Sequence, residues 1–506
     1  MSVSALLERQ AALNPDRTAV VADDATLTYA RLEQVTGHLA GMLYAVGARR
    51  TEPVAVLAQR GASQLTALLS ILRTGAPYAC VDTAQPARRI ETQLRACGAR
   101  ILVTDRTDIC PPEFTVIPAR HCEETGRAGS GAPSAILTPR DLAYVMFTSG
   151  STGDPKMVEV THGGLVNYAS FLVSMLDADR DGERALNLAT VTSLATDLGN
   201  TAIYPALIRG DTVHVVSGDI ATDPEDFAGY VTEHRIDVLK TTPSHLEALF
   251  DEVGAEVLPA RMLIIGGEAA GWDLVSRVRD ASRCRVVNHY GPTEATIGAL
   301  TFEINDPSPA HRACTYVPIG WPIANIRAYV VDDMLRRLPP ETEGELLIAG
   351  AGVARGYRGD AELTRERFPA DPFTPDGAHA YRTGDVVRCL RDGSFEFLGR
   401  RDTQFKVRGH RVETGEIERA LRDHPGVLRT AVVLRNDPPA APRLVAYVVP
   451  DTRASSPDGP SSGLLRTHLR SLLPEYLVPA TFVLMDSLPL TPSGKLDVRA
   501  LPNPDR

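Results

Sequence analysis

The pattern of apolar and polar residues along the chain predicts both helices and strands. Apolar residues recur at helical spacing from Leu32 to Val46, and Gly47 is typical of a helix end. Short β-rich runs follow at 54–57, 101–104, 213–216 and 262–265, and a helical pattern covers 245–253. From about Ile326 onward the strand-like runs crowd together. Strands that alternate with helices predict an α/β fold with largely parallel sheets, followed by a smaller β-rich subdomain.

Length and composition narrow the possible classes of protein. The 506 residues exceed one ordinary core, which predicts two or more domains. The chain has 53 Lys and Arg against 63 Asp and Glu, and this net charge of −10 argues against nucleic acid or an anionic membrane as the main partner. It shows neither a secretory signal nor an apolar run of the roughly eighteen residues that a membrane span needs. The seven cysteines form no CxxC pair, so we expect free thiols in a reducing cytoplasm and no zinc site.

The segment from Phe147 to Lys156 reads FTSGSTGDPK and has the composition of a phosphate-binding loop. Its two glycines let the backbone approach an anion, and its hydroxyl groups and lysine add donors and charge. An apolar run at 142–147 leads directly into it, which is typical of a strand that delivers a functional loop. The spacing is not that of the P-loop GxxxxGK[ST]. A plain Ser/Gly surface turn is the alternative interpretation.

Nine segments that include this loop occur in the motif order of one enzyme superfamily. They are Leu27–Leu32, Ile71–Asp82, Phe147–Lys156, Asn288–Glu294, Gly344–Ile348, Gly352–Tyr357, Tyr381–Asp385, Gly399–Gly409 and Pro492–Asp497. With them, nearly the whole chain resembles the adenylate-forming superfamily and, within it, the adenylation domains of nonribosomal peptide synthetases. The resemblance implies an α/β fold with a large multi-sheet N-terminal domain at 1–401 that binds ATP and an amino acid. It also implies a smaller, mobile α+β C-terminal domain at 402–506, with Asp402 at the hinge.

The resemblance further implies an ATP site with Mg²⁺. The loop residues that would hold the β- and γ-phosphates are Thr148, Ser149, Gly150, Ser151, Thr152 and Gly153, with Lys156 assisting. The remaining ATP-site roles are adenine binding by Asn288 and Tyr290, α-phosphate contact by Thr293, Mg²⁺ binding by Glu294, and ribose binding by Asp385 with Arg400 nearby. Lys495 would enter from the last domain and contact the substrate carboxylate and the α-phosphate. These residue types fit the formation of an adenylate, because phosphoryl transfer needs fixed cations and positioned hydrogen-bond donors.

Each of these roles has a plainer alternative. Asp385 could cap a turn, Glu294 could cap a helix, and Lys495 could be a solvated loop lysine. The chain also departs from the family at two places. Met157 stands where the family usually has glycine after the loop lysine, and Thr196 stands where phenylalanine usually precedes Asp197. Neither departure removes a catalytic group.

A set of pocket positions in this family correlates with the amino acid that is activated. By alignment to the motifs the set is Asp197, Leu198, Thr201, Lys240, Ile264, Gly266, His289, Ile297, Gly298 and Lys495, and it closely resembles the signature of aspartate-activating domains. Asp197 can pair with the α-ammonium group of an amino acid. Lys240 lies in an otherwise apolar strand end, where a buried cation needs an anion as partner, and His289 would add a second donor.

These pocket residues predict L-aspartate or 3-methylaspartate as the substrate, with asparagine as second choice. The alternatives are that Lys240 reaches the surface and that His289 is a satisfied core histidine. After Lys495 the sequence contains no carrier motif, so we expect a separate carrier protein whose phosphopantetheine thiol accepts the aminoacyl group. A small activator protein stays open as a partner. The competing functions are a ligase that loads coenzyme A or a D-alanine carrier, and a non-catalytic amino-acid-binding relative.

Overall fold

The structure is a computed structural model, and it divides the chain into two compact units. The described residues are 2–106, 108–119, 135–150, 155–177, 184–305, 307–375, 377–401, 404–407, 410–435, 443–451, 460–489 and 496–504. The first unit comprises Met1–Thr83, Leu94–Phe147 and Met157–Arg401, and the second comprises Ala84–Gln93, Thr148–Lys156 and Asp402–Arg506. The predicted domains at 1–401 and 402–506 stay a prediction.

The described residues form α-helices of four to 17 residues. They are α1 (Val3–Leu13), α2 (Tyr29–Ala45), α3 (Ala62–Thr74), α4 (Ala87–Ala96), α5 (His162–Asp177), α6 (Asn200–Arg209), α7 (Gly218–Thr222), α8 (Pro224–Glu233), α9 (Pro243–Val253), α10 (Trp272–Ala281), α11 (Pro309–Arg312), α12 (Ala361–Arg367), α13 (Thr414–Arg422) and α14 (Ser462–Arg470). The helices predicted at 32–46 and 245–253 are therefore confirmed as α2 and α9. In the described part of the chain, no helix has the length and apolar character that crossing a membrane would require.

The strands of the first unit are more numerous than those of the second. They are β1 (Thr18–Ala22), β2 (Ala25–Thr28), β3 (Val54–Leu57), β4 (Tyr78–Cys80), β5 (Ile101–Thr104), β6 (Thr115–Pro118), β7 (Leu142–Thr148), β8 (Lys156–Thr161), β9 (Asn187–Thr190), β10 (Thr212–Val215), β11 (Val238–Thr241), β12 (Met262–Gly266), β13 (Arg285–Tyr290), β14 (Leu300–Glu303), β15 (Trp321–Pro322), β16 (Ile326–Val331), β17 (Glu343–Gly350), β18 (Gly356–Tyr357), β19 (Ala380–Cys389) and β20 (Phe395–Arg400). Those of the second unit are β21 (Gln404–Val407), β22 (His410–Glu413), β23 (Val427–Arg435), β24 (Arg443–Pro450) and β25 (Thr481–Leu484).

Three sheets build the first unit. One has the strand order β15-β14-β13-β12-β11-β9-β10-β1-β2, and its strands from β13 through β1 run parallel. A second sheet has the order β18-β8-β7-β4-β3-β5-β6, and a third, antiparallel sheet has the order β16-β17-β19-β20. The predicted α/β fold with largely parallel sheets and a later β-rich region is thus confirmed.

Continuous apolar runs explain why the central strands are parallel and buried. Every residue of β3 and β12 is buried, and the same holds for β5 and β10. Strands that carry apolar residues on both faces need cover on both faces, which helices of the α/β type provide. In the second unit, β23, β24 and β25 form a sheet whose apolar residues pack with those of α13 and α14 around their own core.

His162, the first residue of α5, is a buried polar residue whose replacement should stabilise the first unit. It is 0% exposed, and neither ring nitrogen has a hydrogen-bond partner in the described part of the chain. Burial lowers the pKa of His162 to about 4. Because the unfolded imidazole titrates near 6.5, the folded state loses stability as the pH falls below that value, by about 2 kcal/mol at pH 5.

We therefore expect His162→Leu to raise the melting temperature, and to raise it more at pH 5 than at pH 7.5. An unsatisfied buried polar group costs about 1–3 kcal/mol, and an apolar replacement removes that cost. Differential scanning fluorimetry at the two pH values measures the effect. His245→Leu is the matched control, since His245 Nε2 donates to the Ala221 carbonyl at 2.7 Å and its loss should destabilise. Equal melting shifts at both pH values would contradict the explanation.

Candidate active site

The carboxyl ends of parallel strands bring the predicted pocket residues together in the first unit. Lys240 is the penultimate residue of β11 and lies beside Ile264 of β12, and Gly266 at the end of β12 pairs with His289 of β13. In open parallel sheets, ligands bind beyond the carboxyl ends of the strands. Each of these strands contains a short apolar run that is followed by polar or small residues at its carboxyl end.

The cationic side of this pocket is a buried chain of hydrogen bonds. Lys240 and His289 are 1% and 2% exposed, and Lys240 Nζ lies 3.2 Å from His289 Nδ1. His289 Nε2 lies 2.9 Å from the hydroxyl of Tyr168 on α5, and that hydroxyl lies 2.9 Å from Thr201 Oγ1 on α6. Lys240 is therefore held inside the protein, so the alternative in which its amine reaches the surface does not apply.

Two glycines leave space for the side chains of this hydrogen-bond chain. A methyl group built on Gly266 would lie 2.2 Å from the His289 carbonyl oxygen and 2.6 Å from Lys240 Nζ, and one built on Gly298 would lie 1.9 Å from His289 Nε2. Any larger residue at either position would therefore displace the lysine or the imidazole. Leu198 lies at the same pocket, near Gly267, which follows β12.

The anionic side of the pocket is Asp197, which begins a short 3₁₀ helix at Asp197–Gly199. Its Oδ2 is buried and has no hydrogen-bond partner among the residues that the structure describes. The pKa of Asp197 is raised to about 6, because burial and the nearby charge of Glu294 raise it by more than the hydrogen bonds from the Thr293 side chain and the Ile297 backbone lower it. A buried acceptor without a partner is suited to a ligand ammonium group.

The turn after Glu294 has a strained backbone. Thr296 and Ile297 have φ angles of 57° and 68°, and β-branched residues rarely adopt this left-handed region. The Thr296 hydroxyl donates to the Gly352 carbonyl at 2.6 Å, which helps to hold the turn. Such strain persists where the surroundings enforce it, and here the strained turn includes Ile297, whose backbone lowers the pKa of Asp197.

The predicted ribose and adenine residues also lie in the first unit. The Tyr290 hydroxyl donates to Asp385 Oδ2, and Arg400 forms an ion pair with Asp385 Oδ1 across the β19–β20 pair. Burial raises the pKa of Tyr290 well above its ordinary value, so it remains a neutral hydrogen-bond donor. The side-chain amide of Asn288 donates to the carbonyls of Val317 and Pro318 at 3.2 and 2.9 Å, which fixes its orientation. These contacts fix the orientation of each side chain.

The predicted magnesium ligand Glu294 is fully buried. Its Oε1 accepts a hydrogen bond from the Tyr357 hydroxyl at 2.8 Å. The described residues contain no group of three or more His, Cys, Asp or Glu side chains that could hold a metal. Mg²⁺ in nucleotide enzymes commonly takes one or two carboxylates together with substrate phosphates and water. A single carboxylate of this kind therefore fits a magnesium ion that enters with ATP.

The described loop residues belong to the second unit. Ser149 Oγ donates to the Arg411 carbonyl at 2.8 Å, and Lys156 Nζ lies 2.9 Å from Glu413 Oε1. The Thr148 hydroxyl is buried and has no hydrogen-bond partner within the described ranges. Ser151, Thr152, Gly153, Lys495 and Asp402 lie outside the described residues, so their predicted roles stay predictions, as does that of Gly150.

Comparison with known proteins decides the family. Residues 7–358 match the family described as AMP-binding enzyme, and residues 416–495 match the AMP-binding enzyme C-terminal domain. The chain belongs to the AMP-binding enzyme family. As a member of this family it is an adenylate-forming enzyme that uses ATP and Mg²⁺. It is similar to nonribosomal peptide synthetases.

Curated relatives of this AMP-binding enzyme are much longer proteins. It is 37% identical over 512 residues to a dimodular nonribosomal peptide synthase of Bacillus subtilis (strain 168), covering 100% of this chain and 21% of that protein. It is 34% identical over 515 residues to tyrocidine synthase 1 of Brevibacillus parabrevis, covering 100% of this chain and 45% of that protein. The chain thus spans less than half the length of these relatives.

Solved structures of similar proteins share the fold of this AMP-binding enzyme. NpsA-ThdA from Klebsiella oxytoca, an artificially fused adenylation-PCP di-domain, aligns with a TM-score of 0.84 and 27% identity, covering 95% of this chain and 93% of that one. Holo-PA1221, an NRPS protein with adenylation and PCP domains bound to a vinylsulfonamide inhibitor, aligns with a TM-score of 0.83 and 27% identity, covering 99% and 83%.

Sequence reasoning missed two tyrosines of this AMP-binding enzyme. Tyr168 contacts His289 although 121 positions separate them, and Tyr357 contacts Glu294 across 63 positions. Tyr357 ends a recognised motif, which is a signal that could have found it. Tyr168 lies in an amphipathic helix with no motif, and only the packing of α5 against α6 and β13 reveals it.

Proposed function

We propose that this enzyme activates L-aspartate, or a close relative such as 3-methylaspartate, with ATP to give the aminoacyl-AMP. The observation that carries the proposal is the buried ammonium group of Lys240, 3.2 Å from His289 Nδ1 and directly above Gly266. A buried ammonium group attracts an anion, and the β-carboxylate of aspartate has the complementary charge. Asparagine is the second choice, because its amide carries no charge.

The arrangement of charges supports a simple binding mode. Asp197 pairs with the α-ammonium group, Lys240 pairs with the β-carboxylate, and the α-carboxylate is left to react. Its oxygen attacks the α-phosphorus of ATP, the bond to the bridging oxygen breaks, and pyrophosphate leaves. Glu294 would hold Mg²⁺, which would supply charge neutralisation to the phosphates, and Thr293 would contact the α-phosphate. Asp385 accepts hydrogen bonds from the ribose hydroxyls, with Arg400 paired to its other carboxylate oxygen.

The second half-reaction of the proposal transfers the aminoacyl group to the phosphopantetheine thiol of a carrier protein. Support comes from the relatives, which include proteins with adenylation and PCP domains. In this proposal residues 1–401 bind ATP and amino acid, residues 402–506 move between the two half-reactions about Asp402, and Lys495 acts in the first. A separate carrier and a small activator protein are part of the proposal too.

Amino-acid-dependent ATP–pyrophosphate exchange tests the substrate. We expect the fastest exchange with aspartate or 3-methylaspartate among the twenty standard amino acids and this analogue. Preferred exchange with a hydrophobic amino acid would overturn the pocket assignment, and no exchange with any amino acid would favour a non-catalytic relative. Mass spectrometry of thioester products with candidate carriers, a D-alanine carrier and coenzyme A then identifies the thiol that is loaded.

The pH dependence of exchange tests the role of Asp197. The pKa of Asp197 in the folded protein is about 6, above the ordinary value of 3.8, so the carboxyl group stays protonated to a higher pH in the folded state than in the unfolded state. The folded state therefore loses stability as the pH rises from 3.8 to about 6. The α-ammonium group needs the ionised form, so kcat/KM for aspartate should fall about tenfold per unit below pH 6. The kcat/KM for ATP at saturating aspartate is the control and should keep a flatter profile. An apparent pKa at or below 4 would contradict this assignment.

A further inference from the structure

Tyr168 lies behind the pocket and belongs to none of the recognised motifs. It is 1% exposed, and its ring meets that of His289 edge-on with centroids 5.5 Å apart. Its hydroxyl lies 2.9 Å from His289 Nε2 and 2.9 Å from Thr201 Oγ1, which is itself 1% exposed. A phenol buried between a pocket histidine and a pocket threonine can control how that histidine is protonated.

The donors and acceptors along this chain of hydrogen bonds determine the tautomer of His289. A lysine ammonium group has three donors and no acceptor, so its contact with His289 Nδ1 uses the lone pair of that nitrogen. The ring proton of the neutral imidazole then lies on Nε2 and is donated to the Tyr168 oxygen. The phenol proton is left for Thr201 Oγ1. Burial raises the pKa of Tyr168 well above its ordinary value, so the phenol keeps that proton.

We infer that Tyr168, supported by Thr201, is a positioning residue for substrate selection: it holds His289 as the neutral Nε2–H tautomer, so that His289 orients the Lys240 ammonium group toward the substrate carboxylate. The inference deepens the proposed function and rests on it. It revises the expectation that His289 is a second donor to the substrate. In this account Lys240 contacts the β-carboxylate and His289 acts through Lys240.

Loss of the phenol hydroxyl should loosen this arrangement. In Tyr168→Phe, Nε2–H has lost its acceptor, and the imidazole can move its proton to Nδ1. A protonated Nδ1 cannot accept a hydrogen bond from an ammonium group, so Lys240 loses the acceptor that orients it. We expect KM for aspartate to rise about tenfold to a hundredfold, in line with an unsatisfied buried donor. We expect kcat and KM for ATP to change less than threefold, because neither reacting atom touches Tyr168.

Matched variants separate this role from a loss of stability. Tyr204→Phe is the control, because Tyr204 is also buried and its hydroxyl lies 3.0 Å from that of Tyr78, outside the pocket. It removes the same kind of hydrogen bond and should leave KM for aspartate unchanged. Thr201→Val should reproduce part of the loss, and Thr201→Ser, which restores a hydroxyl, should recover it. A Tyr168→Phe variant with the same KM for aspartate as Tyr204→Phe would overturn the inference.

A measurement without catalysis reads the tautomer directly. Selective ¹⁵N labelling of histidine, with His289→Gln to assign the signal, shows by NMR which ring nitrogen of His289 carries the proton. We expect protonation at Nε2 alone at pH 7.5 in the wild type, and a shift toward Nδ1 in Tyr168→Phe. An imidazolium or an Nδ1–H tautomer in the wild type would overturn the inference even if aspartate is the substrate. Failure of aspartate exchange with an Nε2–H tautomer would instead overturn the proposed function alone.

Discussion

Lys240→Met is expected to lower kcat/KM for aspartate in pyrophosphate exchange by roughly 10³-fold. Methionine keeps most of the length of the side chain and removes the charge, so the β-carboxylate would enter a buried site without its cation. Removing one partner of a buried charge pair costs about 3–5 kcal/mol, and each 1.4 kcal/mol is about a factor of ten. Exchange rates over a range of aspartate concentrations measure the loss.

The expected loss is specific for the substrate side chain. The same variant should use 2-aminobutyrate, which lacks the β-carboxylate, at least as well as the wild type does. Its KM for ATP should stay within about threefold, since Lys240 lies beside Ile264 and His289 and not beside Asp385. Retention of aspartate exchange within tenfold of the wild type would show that another cation reads the side chain.

Asp197→Asn is expected to lower kcat/KM for every amino acid by roughly 10³-fold, whatever its side chain. The buried Oδ2 of Asp197 is the acceptor offered to the α-ammonium group, and an amide cannot compensate that charge. The cost has the same origin as for Lys240, about 3–5 kcal/mol for a buried charge left unpaired. Exchange with aspartate and asparagine measures it.

Succinate, which has both carboxylates but no amine, supplies the control. Its poor exchange should be lost in Lys240→Met and kept in Asp197→Asn, whereas 2-aminobutyrate should show the opposite pattern. Opposite effects of the two variants on these two substrates would assign one end of the substrate to each residue. A general loss of protein stability would not produce that pattern. If Asp197→Asn also abolished succinate exchange, the aspartate would have a structural role in place of the proposed binding role.

Much of the fold follows from local patterns in the sequence. The runs at 54–57 and 262–265 are short, apolar and rich in the β-branched residues valine or isoleucine. Segments whose apolar residues recur at helical spacing lie between such runs. Because parallel strands covered by helices on both faces need such runs, the pattern predicted the sheets that form. The motif order predicted which residues would line the pocket, and the strand register brings Lys240, Gly266 and His289 together.

Contacts between distant segments were beyond the reach of these patterns. Nothing local in α5 indicates that Tyr168 would meet His289, because that contact depends on how a helix packs against a strand. The strained turn at Thr296 and Ile297 was also invisible, since β-branched residues normally disfavour positive φ. Tertiary contacts impose that conformation against local preference, and such exceptions concentrate at functional sites.

The close packing around Gly266 and Gly298 has a consequence for how this specificity could evolve. A methyl group at position 266 would lie 2.2 Å from the backbone carbonyl oxygen of His289 as well as 2.6 Å from Lys240 Nζ, and one at position 298 would lie 1.9 Å from His289 Nε2. Because the backbone contact at position 266 persists whatever residue stands at 240, glycine is required there even after the lysine has been replaced. Evolution toward a smaller or apolar substrate would therefore have to change the residues at 240 and 289 and keep the glycine at 266.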